Sequence, residues 1–335
     1  MTVTARNEEM PKDNTLIKDK ILLITHTDLD GIGCSILVQR YFENFDIMYL
    51  NYNEMADKIL LAWRTFREYD KVIISDLSIP YDIATMFITL TDNVVFIDHH
   101  MSSLKYANCF PESLIMTEYK GVPTCGTDLL SIYLCDTYNI VLQPQEIQFI
   151  KLVRSWDTWT WIDEDDGYIA CQLNDLLSLK SRNEFITDCL EQLEKYDTFP
   201  EFSTIDAALL AIHEKRRANY IQSSSNRITF KDIGGYTCGI VFADEFTSIL
   251  GNSLCTNNEH IDIAVMVSMK YRSISFRTIR DDIDLSEFAS KYFGGGGHRK
   301  AAGAELSNKT IMKIINIATR SRPKFSFRKV LHKCR

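Results

Sequence analysis

Short unbroken apolar runs punctuate the first half of the chain: Ile21-Leu22-Leu23-Ile24, Val72-Ile73-Ile74 and Val94-Val95-Phe96-Ile97. Runs this short and this rich in Val and Ile predict strands covered on both faces, as in a parallel sheet. Between them apolar positions return at helical spacing, from Ile32 to Phe42 and from Ala56 to Phe66. Strand-like and helical stretches alternate in this way over residues 20–180, which predicts a doubly wound α/β domain. Residues 181–225 are charged and helical, with Phe185-Ile186, Leu190, Leu193, Ala207 to Leu210 and Ile212 as their apolar positions, and read as a connector packed between domains. Residues 226–310 mix strands at Tyr236–Phe242, Ile261–Met269 and Ser273–Thr278 with two helices, a smaller mixed α/β domain. Residues 1–19 form a polar N-terminal segment and 311–335 a C-terminal helix with a basic tail. The expected fold class is therefore α/β, a doubly wound and mainly parallel sheet joined by a helical connector to the smaller domain, with the active cleft between the two.

Each apolar run leads into residues that ligate metals. Ile21–Ile24 is followed by His26-Thr27-Asp28-Leu29-Asp30-Gly31, Val72–Ile74 by Ser75-Asp76, and Val94–Ile97 by Asp98-His99-His100, while Asp157 follows Ser155-Trp156 further on. Carboxyl ends of parallel strands are where such sheets gather ligands. His26, Asp28 and Asp30 lie two apart, so an extended segment points all three to one side. Carboxylates that close repel, and one takes a proton unless cations sit between them. Mixed oxygen and imidazole donors suit Mn²⁺ best, with Mg²⁺, Co²⁺ or Zn²⁺ as alternatives. Taken singly, each piece has a plainer reading. The first could be an acidic turn, and Asp76 a helix N-cap sharing that duty with Ser75 or Ser78. Asp98-His99-His100 could be a loop with a satisfied histidine pair, and Asp157, among Trp156, Trp159 and Trp161, a packed corner. Agreement of all four in order and strand context favours a site.

A second group lies downstream. A helical pattern from Asp284 to Phe293 runs into Gly294-Gly295-Gly296-Gly297-His298-Arg299-Lys300-Ala301-Ala302-Gly303. Four glycines without Cβ atoms let backbone N–H groups approach an anion; alone, the run would be a glycine C-cap and a flexible loop. His298, Arg299 and Lys300 shift that reading towards phosphate or base recognition. Ile274, Phe276 and Thr278 alternate with Ser273, Ser275 and Arg277, so Arg277 faces away from Phe276; Arg272 and Arg280 are weaker candidates.

The chain resembles the DHH phosphoesterase superfamily, in the branch that carries a DHHA1 domain. The resemblance rests on His26-x-Asp28-x-Asp30-Gly31, Asp76, Asp98-His99-His100 and Asp157 in order, and on Gly294 to Gly303, and so spans nearly the whole chain. It implies that residues 20–180 are the DHH catalytic domain and 226–310 the DHHA1 substrate-binding domain. It further implies two Mn²⁺ ions per active site, with Mg²⁺ or Co²⁺ as substitutes. Asp28 and Asp30 would each serve one ion and Asp76 both, with His99 and Asp157 completing the second. His100 would meet the substrate phosphate or protonate the leaving oxygen, with Asp98 behind it, while a water activated by the two ions attacks phosphorus. Several relatives place the first histidine four residues before the first aspartate, whereas His26 precedes Asp28 by two, so a role supporting the ligands is the alternative for His26. Arg277, Gly295, Gly296, Gly297 and His298 would hold the substrate. Thr124-Cys125-Gly126-Thr127 resembles a family segment opening a helix near the site, with Thr127 as its N-cap.

Composition narrows the function. The chain has 335 residues, 45% of them hydrophobic, long enough for two domains. No stretch approaches the apolar length of a membrane span, and Met1 to Lys20 lacks an apolar signal core. Nine cysteines without a Cys-x-x-Cys pair read as reduced thiols in a cytoplasmic protein. A net charge of −8 argues against long polymer binding, which leaves a basic footprint. Together with the resemblance, which implies a nucleotide substrate, this makes a short single-stranded RNA or DNA, cut to mononucleotides, the expected one. Alternatives are a RecJ-like single-strand DNA exonuclease, a cyclic-dinucleotide or pAp phosphoesterase and, in another class, a nucleotide sensor that does not hydrolyse. The exonuclease reading draws on the tail, where Arg320, Arg322, Lys324, Arg328, Lys329, Lys333 and Arg335 interleave with Phe325 and Phe327. Several relatives dimerise, which leaves a homodimer open.

Overall fold

The computed structural model describes residues 16–110 and 112–319, so the basic tail beginning at Arg320 lies outside the described residues. The described chain divides after Arg216 into two compact units.

The first unit runs through β1 (Ile17–Thr25), α1 (Leu29–Tyr41), β2 (Phe42–Tyr49), α2 (Tyr52–Ala62), β3 (Lys71–Ser75), α3 (Tyr81–Leu90) and β4 (Val94–Asp98). After them come β5 (Leu114–Ile115) and a hairpin of β6 (Glu118–Tyr119) and β7 (Val122–Pro123). Helices α4 (Gly126–Tyr138), α5 (Pro144–Asp157), α6 (Tyr168–Leu179) and α7 (Arg182–Lys195) complete it, while α8 (Thr204–Ser225) runs across the division at Arg216.

Strands β1 to β5 form one parallel sheet in the order β2-β1-β3-β4-β5. The continuous apolar runs feed two cores by simple alternation. Ile21, Leu23, Ile73, Val95 and Ile97 pack into a core with residues of α1, α4, α5, α6 and α7. Leu22, Ile24, Val72, Ile74, Val94 and Phe96 enter the other core, with residues of α2 and α3. In this strand order the winding reverses between β1 and β3, so the loops leaving them part and open a crevice at their carboxyl ends. The doubly wound α/β architecture expected from the sequence is the one observed.

Local chemistry sets the element ends. Phe42, expected within a helix, has left it: its backbone is extended (φ −112°, ψ 140°) and α1 passes straight into β2. Strand β2 carries no apolar run because it is the sheet edge, with Glu43 to Asp46 exposed. Helix α5 begins with Pro144 at its first turn, where a missing N–H costs nothing. Its Glu146 is fully buried and accepts from the Arg40 guanidinium, from the Tyr41 hydroxyl at 2.6 Å and from the Gln143 amide at 2.7 Å. That shared acid ties α5 to α1, the helix that leaves the site.

The second unit holds β8 (Thr229–Ile233), β9 (Tyr236–Phe242), α9 (Thr247–Thr256), β10 (Ile263–Ser268), β11 (Ser273–Arg277), α10 (Leu285–Phe293), β12 (Gly296–Gly297), β13 (Ala301–Glu305) and α11 (Asn308–Thr319). Its six strands run β12-β13-β11-β10-β9-β8, parallel only between β9 and β10. Phe288 and Ala289 of α10 pack on one face with Val265 and Phe276, and Leu250 and Leu254 of α9 pack on the other with Val241 and Met266. No helix among the described residues is long and apolar enough to cross a membrane.

Candidate active site

The stretch from His26 to Asp30 is not extended, as the two-residue spacing suggested, but turns directly into α1. Asp28 is the helix N-cap, its Oδ1 accepting the Gly31 amide at 3.1 Å, and Asp30 stands in the first turn. The helix starts there because an aspartate cap satisfies an amide that has no partner inside the helix. The two carboxylates consequently serve different neighbours. Asp28 Oδ2 lies 2.8 Å from His26 Nδ1. Asp30 is 1% exposed and accepts the amides of Gly126 at 2.6 Å and Thr127 at 2.7 Å. The start of α4 therefore differs from the sequence reading: Cys125 is its N-cap, and Thr127, inside the helix, donates its hydroxyl to the Asp30 carbonyl at 2.7 Å. A carboxylate brought from α1 serves the α4 amides, so a threonine cap is unnecessary.

Asp76 caps no helix either, since α3 begins five residues later behind Pro80. Its backbone is left-handed (φ 54°), with its amide donating to the Ile97 carbonyl at 3.1 Å. This turn sets its carboxylate between two imidazoles: Oδ2 is 4.0 Å from His26 Nδ1 and Oδ1 is 3.4 Å from His99 Nε2. Asp157, the last residue of α5, places Oδ2 3.5 Å from the same His99 nitrogen, and Asp30 Oδ2 lies 3.8 Å from it. Asp98 is engaged by its own neighbours. Its Oδ1 accepts the His99 amide at 2.9 Å and meets His100 Nδ1 at 2.7 Å, and its Oδ2 accepts from Ser103 Oγ.

The electrostatics of this cluster are unbalanced. Burial, and then the charges of Asp28, Asp30 and Asp157, push the Asp76 carboxyl well above its ordinary range. Burial and the charges of Asp30 and Asp28 do the same to Asp157. Burial opposes ionisation of Asp28, but the hydrogen bond and charge of His26 outweigh it and hold that carboxyl low. Asp76 Oδ2 is buried and accepts no hydrogen bond among the described residues. An orphaned buried carboxylate oxygen among like charges is costly unless a cation lies beside it.

The donor set fits divalent cations. Ligand atoms of His26, Asp28 and Asp76 lie within 4.8 Å of one another, as do those of Asp30, His99 and Asp157. The same holds for Asp76, Asp98, His99 and His100. Imidazole and carboxylate together match Mn²⁺-type ions and their neighbours better than thiophilic metals.

Gly126 is part of this arrangement. A Cβ there would stand 2.8 Å from Asp76 Cβ and 3.0 Å from Asp30 Oδ2. Gly126→Ala is therefore expected to cost about 1–3 kcal/mol through overpacking. Displaced carboxylates should lower turnover by roughly 10²-fold. Thermal unfolding and steady-state kinetics check this, and a variant with wild-type melting and turnover contradicts the tight approach.

Arg277, the glycine run and His298 belong to the second unit. Arg277 donates to Ser248 Oγ at 2.7 Å and to the Phe276 carbonyl at 2.9 Å, and no carboxylate pairs with it among the described residues. Burial pulls its guanidinium down to about 10, which leaves it charged at neutral pH. Arg280, by contrast, is held by Asp262 and Asp282, and Arg272 by Asn308. The glycine run is less open than a flexible loop. Gly294, left-handed at φ 69°, caps α10, and the amides of Gly294, Gly295 and His298 donate to Ser290, Ala289 and Ala301 carbonyls. Gly296 and Gly297 pair with β13. Lys300 bonds the Ile279 carbonyl and Asp281, and Arg299 the Asp281 carbonyl, so both cations serve their own loop first.

The sequence reading passed over Tyr52, whose hydroxyl lies 3.1 Å from His100 Nε2, and Asn51, whose Oδ1 accepts from Thr27 at 2.9 Å. Both follow the edge strand β2. The alternation of Phe45, Ile47 and Tyr49 was the signal that could have revealed that strand.

No family model matches the chain. It is 32% identical over 311 residues to the oligoribonuclease NrnB of Bacillus subtilis (strain 168), an alignment covering 90% of this chain and 76% of that protein. It is 22% identical to a 3′,5′-cyclic-nucleotide phosphodiesterase of Helicobacter pylori (strain ATCC 700392 / 26695), over 84% of this chain and 92% of that one. Among solved structures, RecJ of Thermus thermophilus in complex with Mn²⁺ superposes with a TM-score of 0.54 at 13% identity, covering 91% of this chain and 52% of RecJ, a likeness of fold.

Proposed function

The chain belongs to the DHH phosphoesterase superfamily, and from that premise we propose that it is a metal-dependent phosphodiesterase that hydrolyses short single-stranded oligonucleotides to mononucleotides. The observation that carries the reading is the pair of donor triads, His26/Asp28/Asp76 and Asp30/His99/Asp157, gathered in the first unit. A sensor that only binds nucleotides does not need so many buried carboxylates. Divalent cations held by these triads, Mn²⁺ foremost, would supply a Lewis acid for the phosphoryl oxygen and acidify water.

The chain's own residues do the rest. Asp76, a member of the first triad with Oδ1 3.4 Å from His99 of the second, would help hold the cations of both. His26, at 2.8 Å from Asp28, either ligates directly or orients that carboxylate. Asp98 fixes the ring of His100 through Nδ1, leaving Nε2 to meet the phosphate or the leaving oxygen. Arg277, half-buried and without a carboxylate partner among the described residues, suits a substrate phosphate, with His298 and the glycines at the nucleotide end. The preference for short strands is supported by the net charge of −8 and by the oligoribonuclease among its relatives.

The test is a turnover panel with Mn²⁺, using 5′-labelled RNA and DNA as dimers, pentamers and long strands, with pAp and cyclic di-AMP alongside. Fast cleavage of the short strands alone supports the reading. Processive loss of long DNA would replace it with an exonuclease, and silence across the panel with metal bound would leave a sensor.

A further inference from the structure

Tyr52 enters the site from an element that the metal-ligand motifs do not include. Strand β2 pairs in parallel with β1, Thr25 opposite Tyr49, so the residues following the two strands emerge side by side. The Leu50 amide donates to the Thr25 carbonyl at 2.9 Å, and Asn51 holds Thr27 one step beyond. Tyr52, the first residue of α2, is thereby set next to His26, with ring centroids 5.1 Å apart. Its ring meets that of His100 edge-on at 6.2 Å, and its hydroxyl reaches His100 Nε2 at 3.1 Å. The phenol thus bridges the imidazole after β1 and the imidazole after β4. Yet 47% of Tyr52 is exposed, more than a side chain kept for packing needs.

We propose that Tyr52 is a positioning residue for His100, completing a chain from Asp98 through the imidazole to a phenol at the open side of the site; the proposal rests on the reading of His100 given above. A hydrogen bond at Nδ1 by itself lets an imidazole turn about that bond. A second partner at Nε2, the nitrogen that has to meet substrate, fixes the plane of the ring. In the form of the ring that can donate to a phosphate or leaving oxygen, Nδ1–H goes to Asp98 and Nε2–H to the Tyr52 hydroxyl oxygen, which accepts it. The hydroxyl therefore holds the place on Nε2 that a substrate oxygen takes, and keeps the ring aimed there until substrate arrives.

Tyr52→Phe removes the hydroxyl and keeps the ring. Its kcat is expected to fall about tenfold, the scale of one lost hydrogen bond, with KM within roughly twofold. In a His100→Ala background the same substitution should change nothing, because the two side chains act as one unit. In metal-free, ¹⁵N-histidine-labelled protein the His100 Nε2 resonance should shift in Tyr52→Phe while the His99 resonances stay. An undiminished kcat, a loss confined to KM, additive effects with His100→Ala, or an unmoved Nε2 resonance would each overturn the proposal. The resonance decides the question even if the wild type cleaves nothing in the panel, an outcome that would defeat the functional reading instead.

Discussion

Asp76→Ala is expected to remove hydrolysis, with kcat/KM falling about 10³-fold or more, the several kcal/mol that metal-held charge stabilisation supplies. Asp76 is the side chain common to the surroundings of His26 and His99, and its buried Oδ2 has no hydrogen-bond donor among the described residues. The same variant should lose metal-dependent stabilisation. Mn²⁺ at about a hundred times its Kd adds roughly 2.7 kcal/mol per site to a protein that binds it only when folded. Each kcal/mol corresponds to about 2–4 °C in Tm for a unit of this size. Thermal unfolding with and without Mn²⁺ measures this, and an Asp76→Ala protein that keeps the full metal-induced rise, or its turnover, defeats the assignment.

The metal-free protein carries a related signature. The folded-state pKa of Asp76 is raised, by burial first and then by the charges of Asp28, Asp30 and Asp157. A carboxyl of that kind binds its proton more tightly folded than unfolded. Its contribution to stability is complete below the unfolded carboxylate pKa and disappears as pH rises through the higher folded value. In EDTA the Tm should therefore decline over that range, and Asp76→Asn, which carries no charge to repel, should flatten the decline and raise the Tm at neutral pH. Melting curves that keep the wild-type pH slope in Asp76→Asn would sink this account.

Asp30→Ala is expected to injure fold and chemistry together. Its carboxylate, buried to 1% exposure, is the acceptor for the first two amides of α4 and stands 3.8 Å from His99 Nε2. Removing it leaves two buried N–H groups without a partner, at about 1–3 kcal/mol each. Relief of repulsion at Asp76 and Asp157 offsets part of this, so a net loss of roughly 2–4 kcal/mol and a Tm lower by about 10 °C are expected. Turnover should be lost as well. Asp30→Asn, whose amide oxygen still accepts one hydrogen bond, should recover part of the Tm but not the activity. Asp157→Ala is the contrast: among the described residues it supports no helix amide, so it should lose activity while melting as high as wild type or higher. An Asp30→Ala protein with wild-type melting would remove the capping role from Asp30.

Strands β1, β3 and β4 were legible because a strand buried on both faces must be apolar at every position. The edge strand β2 was not, because half of its surface meets water and Glu43 to Asp46 are exposed. With β2 went Tyr52, which no motif reaches and which only strand pairing sets beside His26. The glycine run was read as open backbone, yet much of its hydrogen bonding is spent on the end of α10 and the pairing with β13. Local composition does not reveal whether an amide is already taken, since its acceptor can come from any distance along the chain.

The sequence alone determined the layered α/β plan, the order of the parallel strands' apolar runs and the chemical kind of site their ends carry. Those properties follow from residue type and spacing within a few positions, where periodicity and ligand chemistry act. Tertiary structure alone decided how the carboxylates divide. Asp28 turns to His26 while Asp30 caps a helix that begins 96 residues later, and a left-handed turn sets Asp76 between two imidazoles. Side chains two positions apart were separated because a helix begins between them, and a hydrogen bond to a distant amide is worth more than a shared direction along an extended chain.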